Sequence, residues 1–86
     1  MIDREHLLRL LKNGLDAKSF RFTRQAALVW LSAFPGDLEV NLYYAIALLN
    51  EGRANQAAQV LERILKSDPL YVAALKVGVE LFSSEN

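Results

Sequence analysis

Two prolines, Pro35 and Pro69, stand about 34 residues apart, an interval that belongs to the helical repeats, and each separates two apolar runs of helical spacing. A helix does not continue through proline, which lacks a backbone N–H and clashes with the preceding turn. Breaks that recur with a period of about 20–50 residues mean repeated units stacked into a solenoid, because one unit cannot bury its hydrophobic face alone. The interval has room for two helices and a tight turn. Stacked helical hairpins are therefore the architecture that this spacing predicts.

Helical periodicity fills the intervals. Asp3 is placed to cap a first helix, in which Leu7, Leu8, Leu10 and Leu11 follow at helical spacing. The Asn13-Gly14 pair is expected to close it. A second helix is expected over about residues 19–34, with Phe20, Ala27, Trp30, Leu31 and Phe34 apolar and with Arg21 and Arg24 on a wet face. Pro35-Gly36-Asp37 breaks the chain, and Asp37 can cap a third helix over 38–50. Gly52 is expected to end it in the left-handed conformation that glycine adopts readily. A fourth helix over 54–67 has Ala57, Val60, Leu61, Ile64 and Leu65 as its apolar stripe. Asp68-Pro69 breaks again before a fifth helix over about 71–82, and residues 83–86 are expected to fray. No segment alternates with a period of two. The reading is all-α, with five antiparallel helices forming a single domain over residues 1–86.

Composition narrows the function. Apolar residues make up 52% of an 86-residue chain. A chain of this size buries only about 60–65% of its unfolded surface. So large an apolar share must fill a long stacked core, meet a partner, or do both. Ten basic and ten acidic residues balance, but unevenly: residues 1–34 hold six basic against three acidic, and 35–86 hold four against seven. The balance argues against a nucleic-acid binder, which needs several phosphate-neutralising charges on one face. The asymmetry can steer an acidic partner to the first half or let copies associate head to tail. There is no cysteine, hence no disulfide and no thiolate metal site. The charged start, residues 1–5, is unlike a signal peptide, and no apolar run approaches the roughly 20 residues of a membrane span. A soluble, cytoplasmic protein is the expectation.

Candidate chemistry is sparse. His6 is the single histidine and reads as a helix-surface residue, with no second histidine to build a metal site. Phosphate loops, nucleophile elbows and HExxH motifs are missing from the sequence, and its carboxylates are scattered. Lys18, Arg21 and Arg24, interleaved with Phe20 and Phe22, would give only a weak, salt-sensitive contact to nucleic acid. They read more simply as the solvated side of an amphipathic helix. Trp30, Phe34, Tyr43 and Tyr44 read as core rather than a ligand cage, with Trp30 and Phe34 at the seam between hairpins. The expectation is a non-enzyme without cofactor or metal.

Residues 37–69 closely resemble the tetratricopeptide repeat family. The run Ala47-Leu48-Leu49-Asn50-Glu51-Gly52-Arg53-Ala54-Asn55-Gln56-Ala57 looks like that family's hairpin turn, with Ala57 as the small residue at the helix crossing. Ala45 matches the small position of the first helix, Leu61 and Leu65 the large positions of the second, and Pro69 the closing proline. Physically, two antiparallel helices approach closely only where small side chains cross, so Ala45 and Ala57 can interlock with Leu48, Leu61 and Ile64. Asn41 departs from the tryptophan often found early in the first helix, and Ile64 from the alanine often found late in the second. Residues 1–35 form a divergent first repeat, in which Gly14 lies farther ahead of Pro35 than Gly52 lies ahead of Pro69. The excess predicts a second helix or leading loop about one turn longer in the first repeat. Residues 70–82 form an unpaired or capping helix, with Gly78 where a bulkier residue is usual. The resemblance implies a right-handed solenoid of about two and a half repeats.

It also implies that the first helix of each hairpin lines a concave surface. In the central repeat that places Leu42, Ile46 and Leu49 in the groove, flanked by Tyr43 and Asn50. Some family members hold a peptide carboxylate with lysine and asparagine there. Leu42 and Ile46 occupy the matching positions here, so that clamp is not implied. The apolar row suits an amphipathic helix or an apolar peptide, unless another element or the fifth helix of a second copy fills it. The function implied is a protein–protein interaction scaffold within a larger chain or assembly. Self-association of the host protein is the alternative, and a regulatory module attached to an enzyme or transcription factor is a third reading. The fifth helix has only two charged residues, Lys76 and Glu80, on one face. Leu75, Val79 and Phe82 are expected to pack back on the fourth helix. That leaves Val72, Val77 and Leu81 as a junction covered by a further hairpin or by a second copy.

Overall fold

The computed structural model describes residues 3–84, with side chains described for residues 3–81. Five helices follow one another: α1 (Arg4–Asp16), α2 (Phe20–Ala33), α3 (Leu38–Asn50), α4 (Ala54–Ser67) and α5 (Val72–Ser84). Their lengths are 13, 14, 13, 14 and 13 residues. The starts of α1, α3 and α5 recur at the same interval as the prolines, and so do the starts of α2 and α4. The first repeat is therefore in register with the second. The additional turn expected there is not present.

The misleading cue is Gly14. Helix α1 runs through it to Asp16, and the residue that turns left-handed is Lys18, at φ 60°; its counterpart in the next repeat is Gly52, at φ 80°. Both hairpins close with the same pair of hydrogen bonds. The amide of Ser19 donates to the Gly14 carbonyl (2.7 Å) and that of Lys18 to Leu15 (3.0 Å). In the second hairpin Arg53 donates to Leu48 (2.9 Å) and Gly52 to Leu49 (3.1 Å). This is the Schellman arrangement, which satisfies carbonyls that a helix end leaves open. A lysine in that conformation brings its Cβ against the backbone. Lys18→Gly is therefore expected to raise unfolding stability by roughly 0.5–1 kcal/mol. A urea midpoint at or below the parent's would contradict the assignment of that turn.

Gly14 has another role. It is buried, and a Cβ built there would overlap Thr23 Oγ1. Thr23 is itself fully buried, and its hydroxyl donates to the Ser19 carbonyl (3.0 Å). Glycine lets α1 and α2 approach at that crossing. Ala45 and Ala57, both 0% exposed, do the same for α3 and α4. Small residues at crossings set the inter-helix distance, and larger ones fill the space beside them.

The core has two sections. Leu7, Leu11, Ala27, Leu31 and Val40 pack between the first hairpin and α3. Ala45, Leu48, Ala57, Val60, Leu61, Ile64, Ala74, Val77 and Leu81 pack between the second hairpin and α5. Tyr44 touches both, so the core is continuous along the stack. Asn41, only 8% exposed, donates through Nδ2 to the carbonyls of Pro35 (3.0 Å) and Asp37 (2.9 Å), fastening the loop between repeats. Arg24 does not lie on a wet face. Its Nε reaches Glu51 at 2.8 Å, tying α2 to the end of α3. That removes one of the three charges of the supposed basic patch. Among the described residues no helix is long and apolar enough to cross a membrane.

Candidate functional site

Helices α1 and α3, and α3 and α5, come into backbone proximity, whereas α2 and α4 do not. The first helices of the repeats therefore lie side by side along the stack, with α3 between α1 and α5. Residues in equivalent repeat positions along α1, α3 and α5 fall into rows across it. Leu8, Leu42 and Lys76 form one row; Lys12, Ile46 and Glu80 form the next. Each row has an apolar centre on α3.

Of the residues expected in the groove, Leu42, Tyr43, Ile46 and Leu49 are half-buried and Asn50 is exposed. Leu42, Ile46 and Leu49 rest on the core between α3, α4 and α5, while Tyr43 rests on the core between α1, α2 and α3. Their inner halves are held by packing, and their outer surfaces remain accessible. Asn50 turns its amide back to the Ile46 carbonyl (2.8 Å). The bond keeps the amide within the last turn of α3.

The other end is polar. Tyr43 is pushed above the usual tyrosine value first by burial and then by the carboxylates of Glu39 and Asp16. Tyr71, just ahead of α5, is pushed up by burial and then by Glu39 and Asp37. Both phenols therefore stay protonated and able to donate. Arg4 faces Glu39 (3.1 Å) and Asp37 (2.8 Å), which offsets the acidic charge there. Sequence reasoning does not find Tyr71, Lys76 or Glu80 as groove residues. The signal available is the repeat interval, which carries Asp37 to Tyr71 within the loop before α5, Leu42 to Lys76 and Ile46 to Glu80.

The helix expected to bear a junction needs correction. Val77 (8% exposed) and Leu81 (4%) are buried in the chain's own core beside Ala74, so they form no surface. Val72 is exposed as expected. The exposed partners are Leu75 and Val79, against the expectation that they pack inward; Phe82 lies outside the described side chains. The reason is register. Ala74, Gly78 and Leu81 stand one repeat after Val40, Tyr44 and Ala47, the face that α3 turns to the preceding hairpin.

The remaining singled-out residues take structural places. Trp30 is half-buried, with its ring 4.6 Å from Phe34 and its Nε1 donating to Asp37 (2.9 Å), whereas Phe34, expected in the core, is 47% exposed. His6 is exposed on α1, its backbone amide capped by Asp3 (2.8 Å). A family model described as a tetratricopeptide repeat matches residues 25–77, from α2 into α5. No curated protein and no solved structure matches the chain.

Proposed function

Because the chain belongs to the tetratricopeptide repeat family, a family of protein-interaction repeats that is in general non-catalytic, we propose that its groove receives the apolar face of a peptide or short helix. Leu42, Ile46 and Leu49 are the contact row, Tyr43 its flank, and Asn50 its closed end. The observation behind this reading is the half-burial of that row. Its side chains are anchored from below, so little rotamer freedom remains to be lost when a ligand covers them. Charges at the edges (Lys12 on α1, Lys76 and Glu80 on α5) have both signs, so they orient a ligand rather than select a strongly charged one. A cytoplasmic setting belongs to the same reading.

The test is selection from a displayed library of short random peptides. Parent-selected sequences are expected to show apolar residues spaced three or four apart, the spacing that lays one helical face in a groove. The Leu42→Lys, Ile46→Lys double variant is expected to keep its helical circular dichroism and to lose those peptides. Retention of the same peptides by the folded variant would place the site on another face.

A further inference from the structure

Helix α2 is apolar along a side that it turns to solvent. Phe22, Val29 and Phe34 are 50%, 75% and 47% exposed. Phe22, Ala26, Val29 and Ala33 follow at steps of four, three and four, which sets them along one side of the helix, with Ala26 half-buried at its inner edge. Stacking of repeats does not account for this stripe. One repeat on, α4 has Gln56, Arg63 and Ser67 where α2 has Phe22, Val29 and Ala33, and all three are exposed although the first hairpin precedes them. The second hairpin is in place after α2 and leaves Phe22 and Val29 open. Neither neighbour in a stack covers that side, so its apolar character serves a contact outside the stack.

We infer that the stripe pairs with the same stripe on a second copy of the chain, the two α2 helices lying antiparallel across a two-fold axis. The argument for that occupant is self-complementarity, which a two-fold contact requires. With the axis beside the junction of Ala27 and Leu28, Phe22 meets Ala33 of the second copy and Val29 meets Ala26. Each is a large side chain against a small one, so the helices approach closely without overlap. Charge favours the same direction. Lys18 and Arg21 stand at the first end of α2, and no acidic residue follows before Asp37. A parallel pair would bring those cations together. The antiparallel pair separates them and sets Arg21 beside Phe34 of the second copy, where the ring face and the negative end of the helix attract it. Phe22, Val29 and Phe34 offer roughly 300–400 Å² of apolar surface per copy. Stable interfaces begin near about 1,000 Å² over both copies. With Gln25 and Ser32 as polar flanks the pair only approaches that size, so the dimer is weak and reversible. This inference is independent of the groove.

The test is sedimentation equilibrium of the full chain from micromolar to millimolar concentration, where the mass is expected to rise from that of one chain toward that of two. The Phe22→Gln, Val29→Arg variant gives α2 the residues that α4 already has at those positions, so the fold tolerates them. It is expected to keep its helical circular dichroism and to associate about tenfold or more weakly. Ala33→Phe alone is expected to weaken association about as much, because the added ring collides with Phe22 of the second copy. Combined with Phe22→Ala, it exchanges large and small within the same pair and is expected to restore association to within about threefold of the parent. The Leu42→Lys, Ile46→Lys and Leu75→Lys, Val79→Lys variants are expected to associate as the parent does. A parent that remains a single chain at millimolar concentration, undiminished association in Phe22→Gln, Val29→Arg, or a double variant no tighter than Ala33→Phe would overturn the inference. So would loss of association in the groove variant or the α5 variant, since the contact would then lie on that face instead.

Discussion

Asp37→Ala is expected to destabilise the chain by about 2–3 kcal/mol. One carboxylate joins three helices. Its Oδ1 accepts from the Val40 amide (3.3 Å), capping α3, and its Oδ2 accepts from Trp30 Nε1 (2.9 Å) on α2. Arg4 of α1 grips both oxygens, at 2.8 and 3.0 Å. Loss of the cap costs about 1 kcal/mol. A half-buried indole N–H without its acceptor costs about as much again. The ion pair adds less, because Arg4 is 46% exposed and water screens it. For a chain whose total stability is roughly 4–13 kcal/mol, that is a substantial share.

The same carboxylate sets an acid dependence. Arg4, Trp30 and the Val40 amide hold Asp37 at about 2, below its ordinary 3.8, against the opposing effect of burial. The folded value lies below the unfolded one, so the folded state favours the charged form. The contribution is complete above the unfolded value and is lost as pH falls from about 4 toward 2. Urea midpoints measured across that interval should fall more steeply for the parent than for Asp37→Asn. Parallel curves would mean that Asp37 is not held as described.

Ala57→Leu is expected to cost roughly 1–3 kcal/mol, because three more carbons must enter a crossing that has no space for them. Ala57 and Ala45 are both fully buried, and Leu48, Leu61 and Ile64 already fill the volume around them. The helices must separate, which disturbs the seam with α5 as well. The measurement is the equilibrium denaturation midpoint; a value equal to the parent's would mean that Ala57 does not sit at the contact.

The helix starts were legible because they depend on local chemistry. Asp3 and Asp37 cap α1 and α3, and the prolines and Gly52 punctuate the rest. What local chemistry hid was register. Gly14 looks like a helix terminator, yet it serves a close approach to Thr23, while a lysine takes the left-handed turn. Only the repeat offset between Lys18 and Gly52 reveals that. Helix α5 hid its orientation for a related reason. Lys76 and Glu80 are the only charges over residues 72–84, and valine and leucine are spread around the rest of the helix. Periodicity then chooses no buried face. The choice is made by the preceding hairpin, which receives Ala74, Val77 and Leu81 and leaves Leu75 and Val79 outside. The row Leu42, Ile46 and Leu49, expected from the resemblance, is half-buried on α3. Tyr71 was not legible, because its place depends on how the loop before α5 folds back toward Glu39.

The row on α3 is proposed to bind protein ligands. Methyl spectra of the parent, recorded with a peptide selected from the displayed library, test it most directly. Saturable shifts are expected at Leu42, Ile46 and Leu49, with Val29 on the far side of α2 unmoved. Shifts centred on α2 or α4, with those three methyls unmoved at saturation, would contradict it.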